Sequence, residues 1–164
     1  GRIMITASEC AAVVFILKEI ATMKINNILA TKGNQVNTIR PEQTVKEVVE
    51  LLATLNIGVL VVTDADDKLL GIISERDVVR ELARGGDTLS KPVRQVMTQH
   101  VITGSPQDDL RSVLQTMVQK NFRHLPIVEN GKLVGLIAIR DAVKAQLNEY
   151  QGEIDTLQTQ VTKG

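Results

Sequence analysis

The chain has 164 residues, 43% hydrophobic and only 2% aromatic, and its 19 Lys and Arg balance 19 Asp and Glu. That length allows one domain with a real core or two small modules. Balanced charge without aromatic platforms excludes a basic, base-stacking nucleic-acid surface. A single cysteine, Cys10, excludes an internal disulfide and a Cys-based metal site, and it suits a reducing cytoplasm.

Residues 1–22 hold the apolar run Ala11-Ala12-Val13-Val14-Phe15-Ile16-Leu17. It is far shorter than the roughly 20 apolar residues of a bilayer span. Glu9 before it and Lys18-Glu19 after it do not fit a signal peptide. The chain opens on Gly1, and Met23 offers a native start. Residues 1–22 therefore read as a partly vector-derived N-terminal extension, helical from about Ser8, whose apolar surface should pack on something.

Two similar halves follow. Val36-Asn37-Thr38-Ile39-Arg40-Pro41 matches Val101-Ile102-Thr103-Gly104-Ser105-Pro106, and each predicts a short strand stopped by proline. A helical pattern comes next in both. Its apolar face is Val45, Val48, Val49, Leu52 and Leu55 in the first half, and Leu110, Val113, Leu114, Met117 and Val118 in the second. Asn56 matches Asn121, and the strands Val59–Thr63 and Leu125–Val128 follow. The next turns are Asp64-Ala65-Asp66-Asp67-Lys68 and Glu129-Asn130-Gly131-Lys132. The acidic one lacks the glycine and distal glutamate of a calcium loop and reads as a polar hairpin turn. Gly85-Gly86-Asp87 ends a helix, and Ser90-Lys91-Pro92 leads into Val93–Met97.

Each half closes on one recurring stretch. Leu69-Leu70-Gly71-Ile72-Ile73-Ser74-Glu75-Arg76-Asp77-Val78-Val79 returns as Leu133-Val134-Gly135-Leu136-Ile137-Ala138-Ile139-Arg140-Asp141-Ala142-Val143. It predicts a buried strand entering a helix whose apolar positions are Val78, Val79, Leu82 and Ala83 in the first copy. One copy could be a capping box, with Ser74 and Asp77 answering each other across the first turn. Ala138 cannot cap, yet glycine, arginine and aspartate persist. The doubled Arg-Asp therefore points to two sites that each present a guanidinium and a carboxylate at a helix start.

Each half is thus β-α-β-β-α. A unit of about 55–60 residues buries too little surface to stand securely alone, so two should share a core. Beyond them Val143, Leu147, Tyr150, Ile154, Leu157 and Val161 form a heptad seam, weakened at Gly152. This C-terminal helix pairs with a second subunit, or else packs back on its own domain or on residues 8–22.

On these residues the chain resembles a tandem pair of CBS motifs, the cystathionine-β-synthase type, forming one Bateman module over about residues 24–147. The features that carry the resemblance are Gly71-Ile72-Ile73-Ser74-Glu75-Arg76-Asp77, Gly135-Leu136-Ile137-Ala138-Ile139-Arg140-Asp141, and Arg123-His124-Leu125-Pro126-Ile127-Val128. Ala138 departs where a hydroxyl is usual, and Asn56-Ile57-Gly58-Val59 lacks the Arg-His-Leu-Pro pattern. The implied fold class is α/β (α+β), with 1–22 as extension, 23–90 and 91–147 as the two motifs, and 148–164 as a heptad helix.

The resemblance implies a non-enzymatic regulatory module that binds AMP, ADP, ATP or NAD(H) between its motifs. It implies that Asp77 and Asp141 hold ribose hydroxyls and that Ser74 reaches ribose or phosphate. Arg76, Arg123 and Arg140 are its phosphate candidates, helped by two helix N-termini. The strand pieces Val36–Thr38 and Val101–Thr103 would clamp adenine through backbone groups, with Leu125 and Pro126 against its face. His124 and Ala138 complete the second site, and Gly58 leaves the first either roomier or weaker. Three arginines suit phosphates better than the sulfonium of S-adenosylmethionine. Arg76 and Arg140 could instead be solvated surface cations, and His124 a satisfied histidine at a strand start. His100 and His124 lack companions at metal-ligand spacing, and no catalytic arrangement or P-loop is visible. A homodimer, no membrane span and no nucleic acid are expected. The alternative function is a dimerisation or adaptor domain with vestigial ligand sites.

Overall fold

The structure, a computed structural model, describes residues 6–12 and 23–163. Residues 7–12 are helical, opened by a capping box in which Glu9 N–H donates to Thr6 Oγ1 and Thr6 N–H to the Glu9 carboxylate. The rest of the expected apolar run, from Val13 on, lies outside the described residues.

From Met23 on the elements are α1 (Ile25–Lys32), β1 (Thr38–Ile39), α2 (Val45–Leu55), β2 (Val59–Thr63), β3 (Leu69–Ser74), α3 (Glu75–Ala83), α4 (Val93–Val96), α5 (Leu110–Lys120), β4 (His124–Glu129), β5 (Lys132–Ala138) and α6 (Ile139–Thr162). β1, β2 and β3 form one sheet in that order, with β1 parallel and β3 antiparallel to β2, and β4 pairs with β5. The chain falls into two compact units. One draws its described residues from 6–12, 23–32, 106–124 and 137–163, and the other holds 33–105 and 125–136.

In the second of these units β2 is fully buried, and its Leu60 and Val62 join Ile39, Ile73, Val45, Val48, Leu52, Val78 and Val93 in one aliphatic core. The α2 face differs from its expected composition. Val45, Val48 and Leu52 are buried and Leu51 is partly buried, while Val49 and Leu55 are exposed. The buried stripe is rotated toward Leu51, which leaves Val49 on its opposite flank and Leu55 in the last turn. α3 likewise buries only Val78, with Val79, Leu82 and Ala83 exposed. In the other unit Leu110, Val113 and Met117 of α5 are buried, as are Ile25, Ile28 and Leu29 of α1, whereas Val118 is exposed. α6 packs on α5 and α1 through its first turns, burying Ala142.

The first strand of the second half is not a strand. Residues 101–105 make a single parallel bridge, Gly104 to Ile127, in the register that Ile39 keeps with Val62. Gly104 makes both of its backbone bonds there, but the preceding rung is lost: Val61 N–H donates to Asn37 in the first half, and Pro126 at the matching position has no N–H to donate. The turns follow expectation. Asp64 Oδ1 accepts from Asp66 and Lys68 N–H, and Asn130 and Gly131 both have positive φ (51° and 76°), as a tight two-residue hairpin turn requires. Asn56 and Asn121 cap α2 and α5 in the left-handed conformation at matching places.

The segment ahead of each half anchors the helix start of the other half. Ile25 and Asn26 N–H donate to Asp108 and Pro106 carbonyls, and Leu110 N–H returns to Met23. Equivalently, Val93 and Arg94 N–H donate to Gln43 and Pro41, and Val45 N–H returns to Lys91.

Candidate functional site

The first candidate site starts at the junction of β3 and α3. Ser74 has extended backbone and caps α3, accepting from Asp77 N–H. Asp77 Oδ2 in turn accepts from Ser74 N–H (2.9 Å) and Ser74 Oγ (3.0 Å). Thr98 Oγ1 donates to Asp77 Oδ1 at 3.3 Å. Thr98 is held there because its backbone exchanges hydrogen bonds with Ile72. Gly71 makes that approach possible: a Cβ at Gly71 would stand 2.6 Å from the Thr98 carbonyl oxygen and 2.9 Å from Met97 Sδ. The carboxylate of Asp77 is therefore ringed by neutral donors. Arg76 beside it is exposed.

The other candidate site starts at the junction of β5 and α6. Ala138 N–H donates to Asp141 Oδ2 at 3.2 Å, which is half of a capping box. Ala138 supplies no side-chain cap to this long helix. Lys32 Nζ, at the end of α1, donates to the same Oδ2 at 2.5 Å, with both side chains about one-third exposed (35% and 32%). Ile139 N–H donates to the Arg123 carbonyl, as Glu75 N–H does to that of Gly58. Gly58 and Arg123 are thus matching positions with opposite endowment: one lacks a side chain, the other carries a cation. Burial chiefly, and then the charge of Lys32, hold the His124 imidazole below its ordinary pKa; Asp141 opposes them, and Arg123 and Arg140 add to the lowering.

The remaining expected positions divide between surface and interior. Thr38 of β1 and Thr103 are exposed, Gly58 and His124 are half-buried, and Leu125 and Pro126 are buried in β4. Arg123 and Arg140 are exposed. Leu125 and Pro126 thus keep little surface to offer a flat ring, although Pro126 accepts through its carbonyl from Gly104 N–H. Two partners escaped the sequence reading, Thr98 on Asp77 and Lys32 on Asp141. A signal existed: Ile25-Asn26-Asn27-Ile28-Leu29 parallels Val93-Arg94-Gln95-Val96-Met97, so the repeat begins earlier than its strands suggest.

Among the described residues no group of His, Cys, Asp and Glu could hold a metal ion, and no helix is long and apolar enough to cross a membrane.

A family model described as "CBS domain" matches residues 27–84 and 93–148. The CBS domain-containing protein YhcV of Bacillus subtilis is 35% identical over 130 residues, 78% of this chain and 91% of its own. The crystal structure of the CBS-domain containing protein ATU1752 from Agrobacterium tumefaciens superposes with a TM-score of 0.71 at 37% identity, covering 76% of this chain and 99% of that one. The CBS domain pair of protein MJ0100, in complex with 5'-methylthioadenosine and S-adenosyl-L-methionine, superposes with a TM-score of 0.67 at 25% identity, covering 75% of this chain and 98% of that one.

Proposed function

The chain belongs to the CBS-domain family, and from that membership we propose that it is a non-enzymatic regulatory module that binds an adenosine nucleotide: AMP, ADP, ATP or NAD(H). The observation that carries this reading is the doubled helix start, where Asp77 and Asp141 each sit half-buried at the N-terminus of a helix with an exposed arginine one residue before. A carboxylate so placed can accept two hydrogen bonds from the vicinal hydroxyls of a ribose. The guanidinium can meet a phosphate bidentately. The adenosine group common to both ligands of the MJ0100 pair supports the ligand class. Arg76, Arg123 and Arg140 favour a phosphate-bearing member over a sulfonium one. In this reading the module runs over 23–90 and 91–147, extended by 148–164, and works in the cytoplasm.

Isothermal titration of the full chain with AMP, ATP and NADH tests it. Binding in the micromolar range that disappears in an Asp77→Ala, Asp141→Ala double variant supports the site; unchanged affinity in that variant removes it.

A second reading, a dimerisation or adaptor domain with vestigial sites, has one observation of its own. Val143, Leu147, Tyr150, Ile154, Leu157 and Val161 of α6 are all at least 40% exposed along one heptad seam. In both readings the seam pairs α6 with a second copy as a homodimer. Light scattering of a Leu147→Glu, Ile154→Glu variant should then report the mass of a monomer. A nucleotide-free dimer, with no thermal shift from any of these ligands, favours the adaptor.

A further inference from the structure

The two aspartates are held by different chemistry. Asp77 accepts from two hydroxyls and a backbone amide, all neutral. Asp141 accepts from the Ala138 amide and from the ammonium of Lys32. Lys32 takes up the oxygen that the hydroxyl missing at Ala138 would otherwise address. It is delivered by α1, which Ile25 and Asn26 tie to the Pro106–Asp108 turn. Beside the pair lies a groove of about 810 Å³, within the range of small-molecule sites. Met23, Asn27, Ile28, Lys32, Asp141 and Lys144 line it. Lys144 lies three residues beyond Asp141 on α6, so Lys32 and Lys144 are the basic residues lining the groove, with Asp141 and Glu149 the acidic ones. At the His124 imidazole, whose pKa is lowered first by burial, the charge of Lys32 lowers it further and exceeds the opposing effect of Asp141.

We propose that Lys32 is the specificity-determining residue of the second site: it holds the Asp141 carboxylate in the unliganded chain and passes to the phosphate when a nucleotide's ribose takes that carboxylate. This inference rests on the nucleotide-binding reading and adds to it a choice among ligands. Lys32 and the Ala138 amide both address Oδ2, so a ribose diol that takes both oxygens of Asp141 competes with the ammonium there. A phosphate on the same ligand receives it, between Lys32 and Lys144, so the ion pair is exchanged rather than lost. Uncharged adenosine offers no such acceptor and has to break the pair without return. A sulfonium ligand places a further cation beside two lysines. The site therefore favours phosphorylated adenosine ligands over uncharged and cationic ones.

The test uses the full chain carrying Asp77→Asn, which keeps one acceptor oxygen for the Ser74 cap while disabling the first carboxylate. AMP and adenosine are titrated calorimetrically into this parent and into its Lys32→Ala and Lys32→Arg derivatives. Lys32→Ala should weaken AMP at least tenfold and leave adenosine unchanged or severalfold tighter. Lys32→Arg should retain most of the preference, and the salt dependence of AMP binding should flatten in Lys32→Ala. An equal loss for both ligands, or an unaltered AMP-to-adenosine ratio, overturns the role of Lys32 and leaves the nucleotide reading standing. A parent that binds neither ligand overturns both for this site.

Discussion

The starts of α3 and α6 are the same device built from different materials. At α3 the sequence supplies its own answer: Ser74 and Asp77 satisfy each other three residues apart, and Thr98 closes the ring. At α6 the hydroxyl is gone, and a cation 109 residues away in sequence takes its place. In each case the outside donor comes from the segment ahead of the opposite half, Thr98 following α4 and Lys32 ending α1. The difference teaches that a helix cap and a binding carboxylate compete for the same oxygens. A neutral local cap holds the carboxylate independently of salt, whereas a partly exposed ion pair is screened by salt and answers to the charge of whatever approaches.

The comparison can be broken most forcefully at Gly71. Gly71→Ala drives a methyl group into the Thr98 carbonyl and should cost about 1–3 kcal/mol. In a chain of this size that lowers Tm by about 2–10 °C, read by calorimetry, and it should also loosen Thr98 from Asp77. Next comes Ser74→Ala, which makes the first helix start resemble the second. Loss of the cap should cost about 1 kcal/mol, or roughly 3 °C. The reverse change, Ala138→Ser, restores a cap to α6 and should raise Tm by about 1–3 °C. It should also reduce the dependence of AMP affinity on Lys32.

The smallest effect concerns pH. His124 in the folded chain has a pKa below the ordinary value of about 6.5, so between those two values the unfolded chain binds the extra proton. Stability should therefore be complete above about pH 6.5 and decline as pH falls through that window toward the lowered folded value. Burial is the larger cause, so Lys32→Ala should raise the imidazole pKa only in part, as a proton NMR titration would read directly.

Much of this architecture is legible in the sequence because it is written in local periodicity. β2 occupies Val59–Thr63, as its β-branched run predicts, and Ser74–Asp77 form the capping box that their spacing allows. The tail is one continuous helix from Ile139 to Thr162 with its heptad seam exposed. What fails is whatever tertiary packing decides. Period alone could not say that the buried stripe of α2 leans toward Leu51 and leaves Val49 to solvent. Nor could the likeness of Val101–Pro106 to Val36–Pro41 make a second rung opposite Pro126, which has no N–H to donate. Of the candidate sites, the aspartates and arginines were visible as a repeat. Lys32 was not, because its partner is set by the exchange of anchoring segments and not by any spacing along the chain.

That exchange has a consequence for how the protein is made. Met23, Ile25 and Asn26 leave the ribosome well ahead of Pro106, Asp108 and Leu110, the residues that satisfy their backbone groups. The apolar side of α1, Ile25, Ile28 and Leu29, must therefore wait through the synthesis of the whole first half before it is covered. Val93, by contrast, meets Gln43 as soon as it is made, because its partner already exists. Vectorial synthesis thus completes the β1–β3 sheet and its helices first, and α1, made before them, finds its place after them.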